Sequence, residues 1–240
     1  MRSVAVNVGA NTNEPGFRGP IYADGTFEYI PIPESEPTRT DADVPTYGEL
    51  DLRTDVRSVA ETPVHLDPTF AGVHGCTSYT YGDPHGVKAR PLSGLVAGDY
   101  VFFYATLSTV PSDPAPWIAP TWGAYIIGQF RLACDPVSGD EFGDLPADER
   151  EPFAANAHLK REPFDASVLL AGDPDGSGLY ETALPLSSRE AGVDANRLVT
   201  ALSSDSGNGP WWRRPMKFDR RGTETILELR RSGDRDRPFA

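Results

Sequence analysis

The sequence predicts an α+β protein: a mixed β-sheet or small barrel-like core with few short helices and long loops. Three observations lead there. Gly and Pro number 23 each, together about a fifth of the chain, which is too much punctuation for a helical bundle. Tyr100 to Leu107 and Trp122 to Ala133 are near-continuous apolar runs rich in aromatic and β-branched residues, the composition of buried strands. Every other apolar stretch is short, and none approaches the roughly 18 residues of a membrane helix.

In chain order, Val4 to Val8 is short and β-branched, as a buried first strand would be, and Phe27 to Ile32 reads as a second strand ended by Pro33. The polar loop Gly9 to Gly25 lies between them. Asp41 to Asp55 is an acidic surface segment whose helical turns are confined to Tyr47 to Arg53. Gly98-Asp99 opens the strand Tyr100 to Leu107. The Pro-rich loop Val110 to Pro120 then connects it to Trp122 to Ala133, so the two strands pair as a long hairpin. Ala147 to Ala155 reads as a short helix, Ser167 to Ala171 as a strand, Asn196 to Leu202 as a helical turn, and Glu224 to Arg230 as a final strand or helix. Residues 1–231 are expected to form a single domain and the charged tail 232–240 to fray.

Against 35 acidic side chains stand 22 basic ones, a net charge of -13. Only Lys88, Lys160 and Lys217 are lysines, which together with abundant Asp suggests a salt-adapted, halophilic composition in which ionic screening relieves self-repulsion. The overall acidity therefore says little about partners, and local basic clusters matter more. The start of the chain lacks the order of a signal peptide, so the expected location is the cytoplasm, with no membrane partner. Cys76 and Cys134 are too few for a disulfide scaffold or a thiolate zinc site and read as idle thiols.

Four segments can carry chemistry. Asn7, Asn11, Asn13 and Arg18 lie in a Gly-rich loop after the first strand, where Asn offers donors and acceptors and Arg a bidentate fork for a base edge or phosphate. The same Asn and Gly residues also suit turns. Three of the four histidines fall within about twenty residues. Among them His65 and Asp67 are two apart in an extended segment, as a proton-transfer pair or two metal ligands would be, although Asp67-Pro68 is also an ordinary turn. Asn156 and His158 join them as candidates. Lys160 and Arg161 suit the negative end of the preceding helix, and Lys160 also suits an anionic substrate. The stretch with Trp211, Trp212, Arg213 and Arg214 interleaves stacking surfaces with cations, as binding to single-stranded or flipped bases requires, or as a core Trp with acid-paired arginines. No phosphate loop, dinucleotide fingerprint, calcium loop or zinc-protease signature is present. The residues specify no cofactor, and no metal is assigned.

The segments VAVNVGANTNEPGFRGPIYADGTFEYIPIPE, HLDPTF, TYGDP, GDYVFFYATL and WGAYIIGQFRL, taken in order, resemble the nucleotide modification-associated domain of the third type over most of residues 3 to 161. The hairpin pattern Gly98-Asp99-Tyr100-Val101-Phe102-Phe103-Tyr104 with Ile126-Ile127-Gly128 is also similar to the core of PUA, ASCH and EVE domains. The first resemblance implies an α+β domain acting in nucleotide or nucleic-acid modification; the second implies a pocket for a modified base. Two readings follow. In one, an enzyme binds a nucleotide or base through Asn7, Asn11, Asn13, Arg18, Tyr81, Asn156 and Lys160 and moves protons with His65, Asp67 or His158. In the other, a non-catalytic reader holds a modified base between aromatics such as Tyr81, Tyr104 and Trp122.

Overall fold

A computed structural model describes all 240 residues. The strands are β1 (Ser3–Asn7), β2 (Pro20–Ile21), β3 (Ile32–Pro33), β4 (Val64–His65), β5 (Thr80–Asp83), β6 (Tyr100–Thr109), β7 (Trp122–Arg131), β8 (Val137–Ser138), β9 (Val168–Ala171), β10 (Gly178–Pro185) and β11 (Met216–Phe218). The α-helices are α1 (Gly86–Leu92), α2 (Gly139–Phe142), α3 (Ala147–Arg150), α4 (Ala157–Lys160), α5 (Arg197–Thr200) and α6 (Arg220–Ser232). The fold is α+β, with mixed sheets and mostly very short helices. The chain forms two compact units: Met1–Ile30 with Tyr100–Gln129 and Tyr180–Ala240, and Pro31–Asp99 with Phe130–Leu179.

The first unit is built on an open sheet of order β10-β7-β6-β1-β11, with β2 also paired to β6. Its core is thus a mixed sheet and not a closed barrel. β1 runs parallel to β6, Ser3 opposite Tyr100 through Asn7 opposite Tyr104, and antiparallel to β11. Such central strands are covered on both faces, so β1 and β6 read as near-continuous apolar runs. β6 and β7 form the expected hairpin, where the Thr109 N–H donates to the Thr121 carbonyl at 2.9 Å. Phe102, Tyr104, Ile126, Leu184, Trp211 and Met216 pack with Ile226 and Leu229 of α6 in one buried cluster.

The segment Glu224 to Arg230 is helical. Asp219 caps α6 by accepting from the Gly222 N–H at 2.8 Å, and Gly233 ends it at φ 71°, a left-handed conformation glycine adopts without penalty. Its buried residues Gly222, Thr223, Ile226 and Leu229 recur at helical spacing. Beyond Ser232, Arg235 donates to the Ala183 and Thr182 carbonyls, Arg189 lies over the Phe239 ring at 4.6 Å, and Arg197 donates to the Ala240 carbonyl. The expected strand Phe27 to Ile32 does not form as one element. Only an isolated Ile21–Phe27 bridge and the two-residue β3 appear, because Pro31 and Pro33 have no N–H to give a ladder.

In the second unit β5, β9 and β8 form a three-stranded antiparallel sheet, and β3 pairs with β4, Ile32 opposite His65. Phe153, Ala166, Leu169 and Ala171 form its small core, with Phe142 edge-on to Phe153. The helix read over Ala147 to Ala155 is α3 followed by a 3₁₀ turn at Glu151–Phe153. Pro152 supplies no N–H to continue an α-helix there.

Arg214 clarifies the basic stretch of the first unit. Its guanidinium donates twice to Asp205 at 2.7 and 2.8 Å and once to the Asn208 carbonyl. Hydrogen bonds from Arg214, chiefly, and from the Gly207 N–H hold the Asp205 carboxyl below the usual carboxylate range despite burial. A carboxyl depressed in the folded state contributes stability above its unfolded pKa and loses it as the pH falls through the folded value. Arg214→Met should therefore lower stability by about 1–3 kcal/mol at pH 7, and the gap in melting temperature from wild type should shrink as the pH is taken from 7 to 3. A gap independent of pH would contradict this role.

Candidate functional site

His65, Asp67 and His158 come together inside the second unit. β4 carries His65, the turn after it carries Asp67, and α4 carries His158. Their exposures are only 4, 7 and 2%. The His65 Nε2 lies 4.0 Å from Asp67 Oδ2, and the His158 Nε2 lies 3.6 Å from the same oxygen. The two imidazoles meet edge to face, with centroids 4.7 Å apart at 82°. One ligating atom from each of the three residues lies within 4.8 Å of the others, so these are the residues able to hold a metal ion.

Each group is oriented from behind. The His65 Nδ1 contacts Glu34 Oε2 at 2.6 Å, and the His158 Nδ1 contacts Asp165 Oδ1 at 2.7 Å. Asp67 accepts from the Asn156 side-chain amide at 3.0 Å and from the Gly82 N–H, 3.1 Å from each carboxylate oxygen. Asn156 also caps α4: its Oδ1 accepts the His158 N–H at 3.0 Å. It further donates to the Thr80 hydroxyl on β5. Arg161 ties the two supporting carboxylates together, donating to Glu34 from Nε and one terminal nitrogen and to Asp165 from the other, at 2.6 to 3.1 Å. The β3–β4 pairing sets this up, because Glu34 follows Pro33 directly and its N–H bonds the Pro63 carbonyl.

The charges respond accordingly. Burial alone would raise the Glu34 carboxyl, but hydrogen bonds from His65 and Arg161 outweigh it and hold the group at about 2. Burial disfavours charge on His158, yet Asp67 and Asp165 together raise its pKa above the ordinary histidine value. Desolvation is likewise outweighed at Arg161, which is raised, and at Asp165, which is lowered by His158 and Arg161.

The remaining candidates lie elsewhere in the chain. Tyr81 is beside Gly82 on β5, buried, with its hydroxyl donating to Asp83 at 2.8 Å. The Lys160 ammonium donates to the Asp43 carbonyl. Asn7, Asn11, Asn13 and Arg18 belong to the first unit. There Asn11 Oδ1 accepts the Asn13 N–H as a turn residue does, and the Arg18 guanidinium lies 4.4 Å over the Trp122 ring. In the same unit Trp211 is wholly buried with its indole N–H donating to the Val193 carbonyl, so its faces are closed to a base. Trp212 is partly exposed, edge-on to Trp122, and Arg213 is exposed. Tyr104, named as a pocket wall, is fully buried, with its hydroxyl bonded to the Arg214 carbonyl.

Sequence reasoning missed Glu34, Asp165 and the role of Arg161. Arg161 reads as a helix-end cation, Glu34 has no local signal, and 127 residues separate this pair. The signal for Gly82 was equally faint. A Cβ there would lie 2.5 Å from the His158 ring and 3.1 Å from Asn156 Oδ1.

Compared with known protein families, the chain matches nucleotide modification associated domain 3 over residues 2–228 and belongs to that family. No curated protein and no solved structure matches it.

The close approach at Gly82 yields a direct check on the site's packing. Gly82→Ala should displace the His158 ring and destabilise the protein by about 1–3 kcal/mol, the range for inserting a methyl into a packed interior. Thermal melting of the variant measures this, and an unchanged melting temperature would contradict the contact.

Proposed function

We propose, from membership in a nucleotide modification-associated family and from the buried cluster, that this protein is an enzyme that modifies a nucleotide or nucleic-acid base, with His65, Asp67 and His158 as its reacting groups. The observation that carries the reading is convergence: two imidazoles, each held at Nδ1 by a carboxylate, turn Nε2 toward one carboxylate that is itself held by Asn156 and Gly82. Setting two buried carboxylates, one partly exposed carboxylate and two buried histidines beside one guanidinium is a costly route to stability, since apolar residues of similar volume often serve as well or better. A functional centre needs such supporting shells, because reacting groups must be held to within about 0.5 Å.

The roles divide by position. His65 and His158 present a nitrogen to the reacting atoms, and Asp67 supplies the shared carboxylate. Glu34, Asp165, Asn156 and Arg161 are positioning residues. In the first unit, Arg18, with its guanidinium over Trp122 and no partner at its buried Nε, is proposed to grip a base edge or phosphate, with no role assigned to it in the His65, Asp67 and His158 centre.

The test is a nucleoside census. DNA, RNA and the free nucleotide pool from cells expressing the wild type or Asp67→Asn are digested and compared by mass spectrometry. The wild type should produce a modified nucleoside that falls at least 100-fold in the variant, the scale on which positioned reacting groups contribute. Wild-type and variant profiles identical to those of empty cells, with the protein retaining a modified nucleoside on purification, would overturn catalysis in favour of the reader.

A further inference from the structure

We infer that His65 Nε2, His158 Nε2 and Asp67 Oδ2 are the three protein ligands of a divalent first-row transition-metal ion, held in a buried site with coordination positions left for substrate or water. As a statement about the active centre this rests on the function proposed above; as a statement about metal binding it is measured separately.

The distances favour an ion over direct hydrogen bonding. At 3.6 and 4.0 Å, the two contacts to Asp67 Oδ2 are longer than hydrogen bonds. Bonds of ~2.1 Å at tetrahedral angles set neighbouring ligand atoms roughly 3.4 Å apart, so one ion fits among these three atoms with small side-chain adjustments.

Proton placement points the same way. Contacts of 2.6 and 2.7 Å between each Nδ1 and a carboxylate oxygen require a proton on Nδ1. In a neutral imidazole Nε2 is then the lone-pair atom. The two Nε2 atoms and Asp67 Oδ2 are then three donor atoms grouped for one ion.

The outer contacts match what metal-bound histidines require. Such residues give their second ring N–H to a carboxylate or carbonyl, which fixes tautomer and orientation. Here both histidines do so, and Asp67 is anchored through Asn156 and Gly82. Two nitrogens and one oxygen favour transition metals over magnesium or calcium, which prefer all-oxygen sites, and three protein ligands leave the open positions of a catalytic site.

The experiment uses the full chain, stripped with chelator and then incubated separately with Zn²⁺, Co²⁺, Mn²⁺ and, anaerobically, Fe²⁺. Elemental analysis after desalting should find one equivalent of at least one of these ions, and that ion should raise the melting temperature, since binding only the folded state stabilises it. His158→Gln and His65→Gln should weaken binding at least 100-fold. Glu34→Gln should weaken it by roughly 10–100-fold, the usual cost of losing an outer-shell partner. His85→Gln, an exposed histidine outside the cluster, should leave it unchanged. If the ligand variants fail to fold, the Co²⁺-loaded wild type decides: electron-nuclear resonance should detect two coupled imidazole nitrogens. A wild type that takes up no equivalent, or a Co²⁺ site without two imidazoles, overturns the inference. Metal uptake without any modified nucleoside sustains the site and overturns the proposed function instead. Modified nucleoside made at full rate by metal-free protein overturns the ion's place in the active centre.

Discussion

The second unit turns on one buried guanidinium. Arg161 is 8% exposed and donates to Glu34 through two nitrogens and to Asp165 through the third. A planar fork of donors can serve two carboxylates at once, which a lysine ammonium on a flexible stem does less well. Each of those carboxylates in turn holds one histidine. Without the guanidinium, the buried Glu34 carboxylate would lose its arginine partner while the partly exposed Asp165 would keep His158 and water, so the cost falls chiefly on Glu34. The positions of His65 and His158 therefore depend on Arg161, which reaches them through Glu34 and Asp165.

Asn156 performs a second economy. Its carbonyl oxygen starts α4, and its amide reaches Asp67. The cap that orients the helix and the contact that orients the carboxylate are thus one side chain, so any rotation of α4 would move His158 and Asp67 together. A four-residue helix has little intrinsic stability, and here side-chain bonds on both flanks supply what its length does not. Gly82 completes the arrangement, since only a residue without Cβ lets β5 bring its N–H to Asp67 with the His158 ring in van der Waals contact.

The first unit spends its arginines differently. Arg214 pairs with Asp205, Arg235 bonds carbonyls of β10, and Arg189 covers the Phe239 ring. Trp211 fills the core beneath β1 and β6 instead of offering a stacking face. A sequence that interleaves tryptophan with arginine is compatible with nucleic-acid binding and with internal packing, and most of this stretch serves packing. Arg18 over Trp122 is the contrasting case, a guanidinium stacked on an aromatic face without a carboxylate partner on its Nε.

The sequence alone determined the features set by local periodicity and composition: α+β class, the hairpin of β6 and β7, the turn capped by Asn196, and family membership through ordered motifs. It also singled out His65, Asp67, Asn156 and His158, because unevenly distributed histidines and short polar residues near them stand out against an acidic background. Local pattern cannot carry pairing across the chain. That Glu34 meets Arg161, that Asp165 turns back onto His158, and that α6 is a helix with its apolar stripe on the core follow from the strand order and from the charge compensation a buried cluster demands. Those constraints act between residues far apart in sequence, so only the tertiary structure decided them.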